Sequence, residues 1–257
     1  MSSAVADSDR SLTELVGKLR AAFAADLVSV VLYGSAAAGD HNPKFSDYNV
    51  LCVLRLITPA QLAASEPLMR WWRERGNPSP LLLTSEEVQN STDSFPIEFH
   101  DIREHHRVLF GEDVTVGMEI PNSFYRAQVE HDLRSKLLRL RQKASGILSD
   151  ADLLRRLLVD SVATFCVLVR HSLILKGEAA PVKKREIVEC AGRVLGIEPA
   201  PFLALLDLRD DRVKGKSIDP VALLAVYMRE IEKVIGAVDS LGAGPLGARE
   251  VEKEASL

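Results

Sequence analysis

Leu27 to Leu54 reads LVSVVLYGSAAAGDHNPKFSDYNVLCVL, and its two apolar runs decide the fold. Val28 to Tyr33 is short, β-branched and almost wholly apolar, the pattern of a strand covered on both faces. It ends in Gly34-Ser35, and a loop of small residues follows, broken by Asp40-His41-Asn42-Pro43. The second run begins at Asp47-Tyr48-Asn49 and continues to Leu54 as another buried strand. Side chains alternate along a strand, which places Asp47, Asn49, Leu51 and Val53 on one face and Tyr48, Val50, Cys52 and Leu54 on the other.

Upstream, Ser11-Leu12-Thr13-Glu14 fits a capping box, and Leu12, Leu15, Val16, Leu19, Ala22 and Phe23 recur at helical spacing. A first helix is therefore expected from Ser11 to about Ala25, with residues 1–9 frayed. Downstream, Thr58-Pro59 with Gln61 opens a second helix that ends near Gly76-Asn77-Pro78. Pro80 to Thr84 reads as a third strand, and Thr84 or Ser85 caps a short helix through Glu86 and Glu87. Phe95 to Ile102, FPIEFHDI, reads as a fourth strand, and His106 to Phe110 as an edge strand. After Pro121 the signals turn helical: Ser123–Ser145, Ala151–Leu175, Lys183–Leu195, Pro199–Arg209 and Pro220–Asp239. The expected organisation is an α+β domain over residues 10–120, an all-helical domain over 121–240, and a disordered tail over 241–257.

Composition narrows the function classes. The chain has 257 residues, 47% of them hydrophobic, and a net charge of −4, which argues against a general nucleic-acid binder. Cys52, Cys166 and Cys190 lie far apart in apolar contexts and suggest neither a disulfide framework nor a zinc site. The first residues, MSSAVADSDR, lack the basic start and apolar core of a signal peptide. Leu157 to Val169 contains Asp160 and is flanked by Arg155, Arg156 and Arg170, too short and too charged to span a bilayer. The expectation is a cytoplasmic protein with no membrane partner.

The candidate chemistry sits at the mouth of the two strands. Gly34-Ser35 suits a phosphate, because glycine lets the backbone approach, the serine hydroxyl donates, and Ala36 to Ala38 can open a helix whose N-terminus favours an anion. Asp47 and Asn49, at i and i+2, can converge on a hard cation such as Mg²⁺. On a strand, Glu98 faces away from Phe95, Ile97 and Phe99 and can serve as a general base; Asp101 falls on the Phe face. Lys44, in the loop before Asp47, reads first as a solvated loop lysine, with contact to phosphate oxygens as the alternative. Lys136, Arg139 and Lys143 share one face of the helix from Ser123, and Arg134 and Arg141 another. That basic face reads first as a solvated surface, with an anion-facing wall as the alternative.

Gly34-Ser35, then Ala36 to Ser46, then Asp47-Tyr48-Asn49 on the next strand, resembles the signature of the nucleotidyltransferase superfamily that includes DNA polymerase β and the aminoglycoside nucleotidyltransferases. Ser46 before Asp47 also fits its small-molecule members. The resemblance covers residues 10–112, and the helical half fits loosely the bundles that follow this domain. It implies a polymerase-β-like domain, a mixed sheet with flanking helices, followed by a helical bundle. It also implies Mg²⁺-dependent transfer of a nucleoside monophosphate from a nucleoside triphosphate to a hydroxyl of a small molecule or protein. By match, Ser35 would hold the triphosphate, Asp47 would bridge both metals, and Glu98 would position or deprotonate the hydroxyl; beside them, Gly34 and Lys44 are candidates for the nucleotide and Asn49, with Asp47 and Glu98, for the metal. Asn49 departs from the family's second carboxylate and removes one charge from the site. The alternative is a degenerate, non-catalytic domain that binds nucleotide or a protein. Small-molecule members often build the acceptor pocket from the helical half or a partner subunit, which leaves a homodimer open.

Overall fold

The computed structural model describes residues 2–39, 47–213 and 218–241. The chain divides into two compact units, Met1–Phe124 and Tyr125–Leu257.

The first unit is built on β1 (Leu27–Tyr33), which pairs antiparallel with β2 (Asn49–Leu54) on one side and with β4 (His106–Gly111) on the other. β3 (Leu81–Thr84) runs parallel to β2, giving a mixed sheet of order β3-β2-β1-β4. A parallel neighbour needs a crossover, and α2 (Pro59–Arg73) lies in the β2–β3 connection. One face of the sheet is covered by α1 (Ser2–Phe23) and α2: Leu15, Leu19 and Phe23 meet Val30, Leu32, Val50, Cys52 and Leu54, with Leu68 and Trp72 closing the cluster. The opposite face carries Val31, Leu51 and Val53, packed by Val88 of α3 (Ser85–Asn90) and by Phe99 and Ile102 of α4 (Pro96–Glu104). Apolar cover on both faces is why β1 and β2 read as unbroken hydrophobic runs.

Local chemistry sets the ends. Thr58 and Gln61 form the capping box of α2 with Pro59 at its first position, and Thr84 and Glu87 do the same for α3. Two expectations need correction. α1 starts at Ser2, so Ser11 and Glu14 lie inside it; no glycine or proline between Ala4 and Arg10 stops the helix from continuing upstream. FPIEFHDI is a helix, not a strand. Pro96 occupies its first turn, where a missing N–H costs nothing, and the buried residues Ile97, Phe99, His100 and Ile102 fall on the inner side.

In the second unit, α5 (Asn122–Ser145), α6 (Ala151–Leu175), α7 (Lys184–Leu195), α8 (Ala200–Arg209) and α9 (Pro220–Ser240) are all the regular structure among the described residues. α6 is long and apolar enough to cross a membrane by length and composition, yet 56% of that apolar window is buried inside the protein. It is the central helix, packed by α7, α8 and α9, with Phe165 edge-on to Tyr227 and Phe202 against the same ring. Asp150 and Asp219 cap α6 and α9, and Gly196 ends α7 in the left-handed conformation. All three cysteines are buried and free. The expected tail lies outside the described residues, apart from Leu241.

Where β4 ends, Gly111 turns with φ of +78°, and a Cβ there would stand 2.0 Å from the Val28 carbonyl oxygen. The buried hydroxyl of Ser29 donates to the Glu112 carbonyl oxygen at 2.6 Å, tying the same junction. Gly111→Ala is expected to destabilise the first unit by more than about 2 kcal/mol through left-handed strain and overpacking. Thr58→Ala should cost only about 1 kcal/mol through the lost cap. Both tryptophans, Trp71 and Trp72, belong to this unit, so urea unfolding followed by tryptophan fluorescence measures the difference.

Candidate functional site

The register pairs Tyr33 with Asn49, so β1 ends and β2 begins at the same edge of the sheet. Tyr33 is extended, and Gly34 then reverses the chain with φ of +75°. The N–H of Gly34 donates to the His105 carbonyl oxygen at 3.3 Å, and its own carbonyl accepts from Ala37 and Ala38 at 3.1 and 3.0 Å. Two features favour glycine here. Its φ is left-handed, and a Cβ would stand 3.1 Å from Nδ2 of Asn49. The expected helix after the turn is a single 3₁₀ turn, Gly34–Ala36, and the chain reaches Gly39 through further turn. Such a turn still offers leading N–H groups with no carbonyl partner inside it.

The start of β2 is held from the other side. The Tyr48 N–H donates to Oδ1 of Asn77 at 3.2 Å, and the Tyr48 ring packs 6.0 Å from Trp72. Tyr48, Val50, Cys52 and Leu54 pack together on the α1–α2 face, so Asn49 belongs to the α4 face. Extending the alternation by one residue assigns exposed Asp47 to the side of Asn49. Lys44 and Ser46 lie outside the described residues.

Glu98 comes from a helix laid over the sheet rather than from a neighbouring strand, and it is exposed. On a helix, residues three apart are neighbours, so Asp101 accompanies Glu98 instead of opposing it. Both carboxylates lie near the Tyr33 phenol. Burial first, then the charges of Glu98 and Asp101, push that phenol up to about 12. The sequence pattern does not point to Tyr33, and read as a strand it sets Asp101 opposite Glu98; helical spacing in Pro96–Glu104 is the signal that joins the two carboxylates.

The structure thus brings Gly34 and Asn49 together, and Glu98 close to Tyr33. Three His, Cys, Asp or Glu side chains do not gather closely enough to hold a metal ion among the described residues. A carboxylate from Asp47 and a neutral amide from Asn49 fit one hard cation by donor chemistry.

No protein-family model matches the sequence, and no curated protein matches it. Among solved structures, spectinomycin adenyltransferase AAD(9) from Enterococcus faecialis, with ATP and spectinomycin, matches with a TM-score of 0.56 at 14% sequence identity. The match covers 88% of this chain and 98% of that one. The likeness is one of fold: a four-stranded mixed sheet with flanking helices followed by a helical region.

Because Tyr33 stays neutral when folded to about pH 12, against about 10 when unfolded, its contribution is intact below pH 10 and is lost as the pH rises towards 12. Tyr33→Phe should flatten the alkaline fall in urea midpoint over that window, and Glu98→Gln should flatten it less, since burial is the larger cause. An unchanged slope in Tyr33→Phe would contradict the placement of Tyr33.

Proposed function

We propose that the chain binds a nucleoside triphosphate at the Gly34 turn and transfers its nucleoside monophosphate to a hydroxyl of a small molecule. The observation that carries this reading is the left-handed Gly34 turn packed against Asn49, with Asp47 beside it, in a chain folded like an adenyltransferase.

The triphosphate meets backbone N–H groups and the Ser35 hydroxyl, with Lys44 adding charge from the preceding loop. A single Mg²⁺ would be held by Asp47 and the Asn49 carbonyl oxygen, and would neutralise phosphate charge there. The acceptor hydroxyl oxygen forms a bond to the α-phosphorus, the bond from that phosphorus to the bridging oxygen breaks, and pyrophosphate leaves with the electron pair. The hydroxyl proton passes to Glu98, whose exposed carboxylate is open to an incoming acceptor.

Binding without transfer is the second reading, and Asn49 is what favours it. A neutral amide leaves one carboxylate where two divalent cations need more.

Incubation with labelled ATP, GTP or CTP, Mg²⁺ or Mn²⁺ and hydroxyl acceptors separates the two readings. Transfer is expected from the wild type, lost in Asp47→Ala and lowered about 10²- to 10⁴-fold in Glu98→Gln. Asn49→Asp should shift the Mg²⁺ dependence to lower concentration. Binding without turnover in the wild type, with turnover gained in Asn49→Asp, would replace the first reading by the second.

A further inference from the structure

The basic residues of α5 divide into two sets. Arg126 and Arg134 each meet Glu130 at 2.7 Å, and Arg141 pairs with Glu232 of α9. Lys136, Arg139 and Lys143, on a different face, make no ion pair among the described residues. They line a cleft of about 180 Å³ between α5 and α6, into which α6 brings Asp160, Thr164 and Phe165.

A solvated helix face accounts poorly for this arrangement. The three cations fall within about 10 Å of helix, where like charges repel. They rim a shallow cleft, open to water, whose floor includes the buried ring of Phe165 and the buried Leu140. Asp160 is the single carboxylate lining it, so the cleft carries a net charge of 3 − 1 = +2. Its volume equals about six waters, large enough for a phosphate group with a short polar body.

We infer that the α5–α6 cleft binds a small phosphomonoester bearing a hydroxyl. Arg139 offers a planar fork to the phosphate oxygens, Lys136 and Lys143 add point charges, and Asp160 accepts from the ester's hydroxyl. Asp160 gives the selectivity, because it opposes a bare anion and favours one that brings a donor. The cleft lies wholly within the second unit, and the inference does not depend on the Gly34 turn. A long polyanion fits the cleft less well, given its small volume and its acidic wall.

Calorimetric titration of the full chain at low salt with glycerol 3-phosphate and with inorganic phosphate tests it. Saturable binding is expected, tighter for the ester, and weakened about tenfold or more in Arg139→Ala and in Lys143→Ala. Arg141→Ala, which removes a paired cation on the other face, should leave it unchanged. Asp160→Asn should erase the ester's advantage over inorganic phosphate. All these side chains are exposed, so thermal unfolding of the variants should match the wild type. The proposal is overturned by absent saturable binding, by binding that survives Arg139→Ala and Lys143→Ala, or by equal binding of ester and inorganic phosphate. Binding of a short single-stranded RNA without binding of the ester would overturn it as well.

Discussion

Between Tyr33 and Asn49, paired across two central strands, the chain must leave the sheet through a residue that has no side chain to place. Gly34 does so with φ of +75°, and the Asn49 amide lies 3.1 Å from where its Cβ would stand. The same register carries Asp47 to this edge, and Tyr48, held by Asn77 and packed near Trp72, keeps it from slipping. A one-residue slip would turn Asn49 and Leu51 to the opposite face and break both cores at once. The site and the fold therefore rest on one pairing.

Much of this was legible in the chain because the signals were local and redundant. Leu27–Tyr33 and Asn49–Leu54 are apolar on both faces, which only doubly covered strands require. Thr58 with Gln61 and Thr84 with Glu87 announce helix starts through hydrogen bonds that involve only neighbouring residues. FPIEFHDI was not legible in the same way. Ile97 and Phe99 alternate like strand residues, and a helix of only nine residues gives too few turns for its own period to stand out. What decides the segment is Pro96 at the first turn together with Ile102, whose burial against Val31 and Leu51 is a tertiary fact. Read as a strand, the segment sets Glu98 and Asp101 on opposite faces; as a helix, it sets them on one side.

Asn49 could be read from sequence as a lost charge but not as a packing element. Its amide also stands 3.1 Å from where a Cβ of Gly34 would be, a closeness the sequence does not reveal. In the second unit, pairing partners explain half of the cations on α5, since Glu130 and Glu232 take up Arg126, Arg134 and Arg141. Spacing alone groups the remaining cations on one face; only the packed α6 shows that the face is hollow.

The central claim is that the Gly34 turn receives the phosphates of a nucleotide, and backbone amide shifts report on it without requiring turnover. In a ¹H–¹⁵N NMR titration with ATP and Mg²⁺, the account predicts that the amides of Gly34 to Ala38 and of Asn49 shift most and saturate together. Saturable shifts confined to residues away from this edge of the sheet, or none at all, would contradict it.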